Sequence, residues 1–445
     1  MKINKIWVLV FTLTLGINIS NAQFADFHNY PMTVAPHESV DSTRGHFWGY
    51  MFGSYYTKLH ADSAGAGNTQ YSQLPKGSNT FSLQRLYLGY DYFFNKKFSV
   101  HAIMAHEENA EDAYTVHATV DQYSNRIFFL KYANMEWNDI FKGSKLSVGI
   151  LPTPSFAITE EPFWGYRSID RTIMDMKGIT GSNDMGVNLG GKIWSNKDDQ
   201  GVEKACIGYN FMIGNGTGSV PDNYAFLNNY TVWKKYYGDL YVKAFDDKLV
   251  LDLFADGRTL QWQDVNGNDD HVYVLTQRVF LGYKAKNFNI SAEYFHQLQK
   301  NMLYISSKSV NPTSSVPAGG DTIQDNIQTG FSIMAAAVLI RDKNTNDPKL
   351  SLFARYDVFN PQVNFNANDE YNQISVGSLS YYVSNSYTES YYVFGLDYQP
   401  IKQIHFMPNI MYDGVTNRAK TVTAIEKFDY DLIARITFCY QFFKN

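Results

Sequence analysis

Residues 429–443 read "DYDLIARITFCYQFF", and every second side chain from Tyr430 to Phe442 is apolar or aromatic. The residues between them include Asp431 and Arg435, so the alternate positions carry charge. A period of two is typical of a β-strand whose two faces have different surroundings. Charges inside so regular a strand indicate that its second face contacts water. The segment therefore predicts a strand with one apolar face and one wet face.

The same alternation recurs along the chain. It is present in "FSLQRLYLGYDYFF" (81–94), "DMGVNLGGKIW" (184–194), "LSLFARYDVF" (350–359) and "ESYYVFGLDY" (389–398). Sixteen segments of this kind can be placed between residues 46 and 443, and eighteen is the alternative count. The pattern predicts an all-β protein built from antiparallel strands.

Composition narrows the class of protein. The 445 residues include 44% apolar and only 18% charged residues, while aromatic residues reach 16%, with 33 Tyr and 31 Phe. So many aromatic residues beside so few charges are unusual for an ordinary cytosolic enzyme. The formal net charge of −5 gives no reason to expect a nucleic-acid partner.

The first residues predict export. Lys2 and Lys5 precede an apolar run from Ile6 to Ile17, and the small-residue end Ser20-Asn21-Ala22 follows. This is the layout of a signal peptide cleaved before Gln23. We therefore expect a signal peptide at 1–22, a periplasmic segment at 23–45 and a barrel domain at 46–445.

The connections between the predicted strands decide between a soluble and a membrane protein. Long connections alternate with short ones such as Asn95-Lys96-Lys97. Long loops on one rim and tight turns on the other are typical of a β-barrel that spans an outer membrane. The apolar face then contacts lipid, and aromatic residues at strand ends are expected to form girdles at the membrane interfaces. The residues expected in these girdles include Tyr92, Phe93, Phe94, Tyr398 and Phe442.

The longest connection carries the motifs of a known family. Gly149 is followed by Pro152, Pro154 and Ser155-Phe156, and the closing strand begins Asp184-Met185-Gly186-Val187. Between them lie an acidic pair and an aromatic-Arg-x-Ile-x-Arg segment. This arrangement resembles the phosphate-selective porins O and P, and the resemblance covers most of the mature chain. It implies a trimeric channel of 16 strands whose third external loop folds into the pore.

The resemblance also implies basic side chains on the permeation path. Charged residues of the long loop are the candidates for the pore constriction: Glu160, Glu161, Arg167, Asp170, Arg171 and Asp175. Charged residues on the wet faces of strands are the candidates for the lumen lining: Arg85, Asp91, Asp184, Lys192, Arg278, Arg355, Asp357 and Arg435. Acids and bases are mixed in both sets, so the sequence leaves open a general pore for small hydrophilic solutes or ions and a channel for anions such as phosphate.

Other classes of function have weaker support in the sequence. No spacing of nucleophile, acid and base indicates an enzyme, and no signature for a cofactor or a metal is found. The expected partners are outer-membrane lipid, small solutes and two further copies of the chain. The alternative is a barrel without conductance that acts as a receptor or as a structural protein.

Overall fold

The computed structural model describes residues 44–63, 67, 69–107, 128–157, 159, 163–216, 233–263, 269–305, 322–365, 387–418 and 428–442. These residues form one closed sheet of 16 antiparallel strands, in which each strand pairs with its neighbours in sequence and β1 pairs with β16. The strands are β1 Arg44–His60, β2 Asn79–Phe93, β3 Phe98–Glu107, β4 Phe129–Asn138, β5 Ser144–Pro152, β6 Asn183–Lys197, β7 Glu203–Gly214, β8 Lys235–Ala244, β9 Leu249–Gln263, β10 Asp269–Lys284, β11 Phe288–Ile305, β12 Thr322–Arg341, β13 Pro348–Asn360, β14 Tyr387–Ile401, β15 Ile404–Asn417 and β16 Phe428–Phe442.

The predicted barrel of 16 strands is therefore confirmed. Closure by β1 and β16 is in register from Gly49 opposite Phe442 to Lys58 opposite Ile433. The barrel begins two residues earlier than expected, because Arg44 already belongs to β1. Residues 1–43, which include the expected signal peptide, lie outside the described residues.

The strand boundaries place short turns at one rim, for example at 94–97, 139–143 and 402–403. The opposite rim carries long connections, such as 153–182 and 361–386. One connection departs from the expected alternation, because β9 and β10 are joined at the long-loop rim by residues 264–268 alone. An even number of strands brings the start of β1 and the end of β16 to the short-turn rim.

The two faces of the wall differ as the alternation predicts. On β16, Asp431, Arg435 and Thr437 point into the barrel and are buried, whereas Ile436 and Tyr440 point outward and are exposed. The outward face of the neighbouring strands is likewise apolar, as Phe394 and Ile410 show. A closed sheet pairs all the hydrogen-bonding groups of its wall, which is what an apolar bilayer requires of a β structure.

Aromatic side chains form rows on the outer surface. The rings of Tyr356 and Tyr392 are 4.7 Å apart, and the row continues through Tyr412 to Tyr430 with centroid distances of 5.8 Å and 5.1 Å. Phe93 departs from the expected girdle. Its ring contacts the inward-facing His101 at 5.9 Å, so it lies on the lumen side of the wall.

Local hydrogen bonds stabilise a short turn, and a glycine allows a close approach of two strands. The Asp198 carboxylate accepts hydrogen bonds from the backbone N–H groups of Val202 and Gln200, and these bonds lower the pKa of Asp198. Gly149 has a φ of 129°, and a Cβ there would lie 2.2 Å from the carbonyl oxygen of Ala133. Only glycine fits this close approach of β4 and β5. Among the described residues, no helix is long and apolar enough to cross a membrane.

Candidate pore constriction

The described residues of the connection between β5 and β6, namely 153–157, 159 and 163–182, lie inside the barrel and are called the inward loop below. Its base is closed by a hydrogen bond from Thr153 N to Ser182 O at 3.0 Å. Two short helices, α1 Pro154–Ala157 and α2 Ile173–Met176, shape the loop. Trp164 is fully buried. The expected folding of this loop into the lumen is therefore observed.

Arg278 of β10 holds the first turn of the inward loop. Its side chain is fully buried and forms ion pairs with Asp252 of β9 and, at 3.6 Å, with Glu293 of β11. The same guanidinium donates a hydrogen bond to the backbone oxygen of Ser155. Glu293 in turn accepts a hydrogen bond of 3.0 Å from the backbone N–H of Met174. The arginine thus connects the wall to both helices of the loop.

Arg355 of β13 holds the middle of the loop. It forms an ion pair with Asp357 at 2.6 Å and donates a hydrogen bond of 2.5 Å to the backbone oxygen of Arg171. Its guanidinium also lies over the Trp164 ring, 4.9 Å from the centroid. Stacking on the indole and pairing with the carboxylate compensate for its burial.

Arg435 of β16 forms the third contact of this kind. It donates hydrogen bonds to the backbone oxygen of Ile169 at 2.8 Å and to the carboxylate of Asp170 at 3.1 Å. Tyr391 of β14 also donates a hydrogen bond to Asp170. Arg278, Arg355 and Arg435, which we call the clamp arginines, therefore bind the inward loop to the wall.

Two lysines add contacts from the same side of the barrel. Lys177 of the loop pairs with Glu389 of β14 at 2.5 Å. Lys235 of β8 donates a hydrogen bond to the Thr180 hydroxyl at 2.7 Å. Together with the clamp arginines, these contacts place the main anchors of the loop on the wall from β8 to β16.

The part of the lumen beside β1 and β2 contains a cavity of about 170 Å³. The wall supplies Phe52 of β1 with Gln84 and Arg85 of β2, and the inward loop supplies Arg167 and Arg171 among other residues. Thr69 and Gln70 of the first external connection, residues 61–78, complete the lining. Arg85, Arg167 and Arg171 are called the cavity arginines below.

Among the described residues that line this cavity, the charged ones are three arginines and one acid, Asp170. Arg167 and Arg171 share the carboxylate of Asp175, at 4.0 Å and 3.3 Å. Arg85 lies 3.7 Å from Glu107, which also forms an ion pair with Lys131 of β4. Each described carboxylate in these two groups thus compensates two cations.

The remaining predicted residues lie in three kinds of place. Asp91 accepts a hydrogen bond from the Trp48 indole at 2.9 Å, and Asp184 accepts one from the Tyr237 hydroxyl at 2.8 Å, so both are part of the lumen wall. Lys192 lies at the short-turn rim, half exposed, and pairs with Glu203 at 2.7 Å. Glu160 and Glu161 lie outside the described residues.

One element of the site was not expected from the sequence. Described residues of the connection 61–78 also pack into the lumen, where Tyr71 is fully buried. Lys58 donates a hydrogen bond of 2.7 Å to the backbone oxygen of Tyr71, and the Tyr71 hydroxyl lies 3.2 Å from the Arg435 guanidinium. The apolar Tyr71 and Leu74 within an otherwise polar loop are the signal that indicates this packing.

Comparison with known proteins supports the fold. No family model and no curated protein matches the sequence. Among solved structures, the chain is similar to the outer membrane channel DcaP of Acinetobacter baumannii, with 11% identity, a TM-score of 0.52 and coverage of 91% of this chain and 99% of that one. It is also similar to OprB of Pseudomonas putida, with 10% identity, a TM-score of 0.55 and coverage of 89% and 94%. The chain therefore has the closed 16-strand barrel fold of solved outer-membrane proteins.

Proposed function

We propose that the protein is an outer-membrane porin, a water-filled channel through which small hydrophilic solutes and ions diffuse passively. This proposal rests on one observation, a constriction inside a barrel whose outer face is apolar. The inward loop narrows the lumen, and polar and charged side chains surround the remaining cavity. An apolar exterior with a charged interior suits a channel across a lipid bilayer.

We further propose that the channel favours anions over cations. A charge in a narrow, poorly hydrated passage acts strongly on ions, because field lines are focused there and screening by salt is reduced. Three arginines and one acid, Asp170, are the charged residues among the described lining of the cavity, and this excess of bases supports a positive local field. The family resemblance names phosphate as one such anion. The acids that line the rest of the lumen favour a general anion preference over a dedicated phosphate channel.

The cellular setting belongs to the same proposal. Export would remove residues 1–22, residues 23–45 would remain in the periplasm, and the barrel would insert into the outer membrane. Three copies would assemble, as the family resemblance implies. A single-barrel mass in mild detergent would contradict the trimer without affecting the channel.

Swelling of liposomes tests the proposed function against the alternative of a non-conducting barrel. We expect liposomes that contain the purified protein to swell in isotonic solutions of small neutral sugars, at rates that fall as sugar size increases. Liposomes prepared with heat-denatured protein are the control. If both preparations remain equally impermeable, the barrel is a receptor or a structural protein.

A further inference from the structure

We propose that a hollow on the outer face of strands β8 to β11 is the contact surface for a second copy of this chain. The inference rests on the proposed trimer and deepens it, because it assigns the part of the wall through which the copies meet. It follows from three features of the outer face: a polar pair within the apolar belt, small residues beside that pair, and two tyrosines three strands away.

Two polar side chains lie side by side on the outer face of the barrel. Gln277 of β10 and His296 of β11 are directly opposite each other in register, and Gln277 is exposed. The outward-facing Tyr273 and Tyr283 lie on either side of Gln277 along β10, so the pair is within the apolar belt. Neither polar side chain forms a hydrogen bond with another described residue. Hydrocarbon chains offer no hydrogen bonds, so a polar partner that covers this pair is favoured.

Small residues beside the polar pair make the outer face concave. Gly238 of β8 is opposite Ala255 of β9, and Ala255 is opposite Gln277 of β10. The larger outward side chains of Leu240 and Leu253 line the same hollow. In transmembrane helices, small residues at an interface let two segments approach closely, and the same steric argument applies to two barrel walls. A lipid chain fills such a hollow but offers no partner to the polar pair.

The symmetry of a trimer predicts where the complementary surface lies. In a ring of three, each copy contacts its two neighbours through two different surfaces, whose directions differ by about 60°. On a barrel of 16 strands, this angle corresponds to about three strands of the wall. The strands three positions beyond β10 and β11 are β13 and β14. Their outer face is therefore expected to complement the hollow.

β13 and β14 carry hydrogen-bond donors at the matching depth. Tyr356 of β13 and Tyr392 of β14 lie eight and nine residues from the short-turn ends of their strands, and Gln277 and His296 lie seven and eight residues from theirs. The tyrosine rings point outward, 4.7 Å apart, and their hydroxyls form a hydrogen bond with each other. One hydroxyl proton therefore remains to donate to an amide oxygen or an imidazole nitrogen. The tyrosine pair of one copy thus complements the polar pair of the next.

Cysteine cross-linking in the outer membranes of expressing cells tests this surface. One chain carries Gln277→Cys together with Tyr392→Cys, and a short bifunctional maleimide joins thiols across the contact. We expect linked species of two and three chains from the double variant and single chains from each single variant, because the two positions meet only between copies. The native Cys206 and Cys439 are buried and should not react. Single chains alone from the double variant would overturn the inference.

A bulky residue in the hollow provides the second test. Ala255→Trp fills the hollow and leaves the lumen unchanged, so we expect the purified variant to have the mass of one barrel in mild detergent, where the native protein has the mass of three. Ala434→Trp, on the outward face of β16, is the matched control and should retain the native mass.

The outcomes separate this surface from the trimer and from the channel. A three-barrel mass for Ala255→Trp, or loss of that mass in Ala434→Trp alone, would place the interface elsewhere and overturn the inference. A native mass of one barrel with bound lipid would show that lipid covers the hollow and would contradict the trimer as well. Swelling of liposomes is independent of these results, because each barrel has its own lumen.

Discussion

The clamp arginines and the cavity arginines lie in the same lumen and differ in their compensation. Arg278, a clamp arginine, is fully buried and faces Asp252 and Glu293 on the adjacent strands. Arg171, a cavity arginine, retains 35% of its side-chain exposure and shares Asp175 with Arg167. A guanidinium with its own carboxylates holds the loop, and we propose that one that shares a carboxylate acts on passing ions. Residue type alone therefore does not determine the role of a lumen arginine.

This difference also explains the shape of the passage. The anchors of the inward loop lie on the wall from β8 to β16, so the loop is held against that side. The cavity remains on the side of β1 and β2, next to Phe52 and Arg85. We propose that solutes pass along this side of the lumen, through the cavity.

The largest expected effect is on stability, at a clamp arginine. Arg278→Ala leaves Asp252 and Glu293 buried without their cation, and breaking a buried pair in this way costs about 3–5 kcal/mol. The free energy of unfolding, measured by urea titration of the protein in lipid vesicles, should fall by that amount. Arg171→Ala is the matched control and should change it by less than about 1 kcal/mol, because its pair is partly exposed. Equal losses would remove the distinction between the two sets.

An arginine introduced on the lipid-facing side of the wall should act neither as a clamp arginine nor as a cavity arginine. Leu432 lies on the outward face of β16, the strand that carries Arg435 on its inward face. Leu432→Arg should cost about 2–4 kcal/mol if it lies near the bilayer midplane. Asn188→Arg, on the inward face of β6, should insert normally. Assembly in vesicles, followed by resistance to protease, measures both, and equal impairment would mean that the two faces are assigned wrongly.

The fold could be predicted from the sequence because the bilayer imposes a strict rule. A wall with lipid on one side and water on the other requires apolar and polar side chains to alternate along each strand. Segments such as 350–359 and 429–443 show this alternation clearly. The count of 16 strands followed from the same pattern. Phe93 was assigned to the wrong face because it lies where β2 ends and an aromatic residue suits either side of the wall there.

The site was only partly predictable, since alternation specifies a face and not a partner. The alternation predicted that Arg278 and Arg85 both lie in the lumen. The separation of their roles depends on Asp252 and Glu293, which approach Arg278 only through the register of β9, β10 and β11. Tyr71 was missed for a similar reason, because its burial depends on Lys58 and Arg435, which are distant from each other in sequence.

A change at Arg355 is expected to have an intermediate effect, and this effect is on the conductance. Arg355→Ala removes the hydrogen bond to the Arg171 carbonyl and the contact with Trp164, so the middle of the inward loop should move more freely. Single-channel recordings should show a larger and noisier current. Arg341→Ala, which loses contacts with Lys286 and Asn287 near the short turn between β10 and β11, is the control and should match the native current. A native trace from Arg355→Ala would show that this clamp does not hold the constriction.

The smallest effect, a small shift of the reversal potential, is expected from a change at Lys192. This residue was predicted to line the lumen, but it lies at the rim, where it is half exposed and pairs with Glu203. At 0.1 M ionic strength, salt largely screens the interaction between exposed charges that are more than about 10 Å apart. Lys192→Ala should therefore alter the reversal potential less than Arg171→Ala does. A larger shift from Lys192→Ala would place the selectivity at the mouth of the barrel instead of at the cavity.

The reversal potential in a salt gradient tests the central claim most directly, namely that the cavity arginines set the charge preference of the channel. The native channel should favour anions, and the double variant Arg167→Ala with Arg171→Ala should lose much of that preference while the barrel still assembles. Native preference for cations, or an unchanged ratio of anion to cation permeability in the double variant, would contradict the claim.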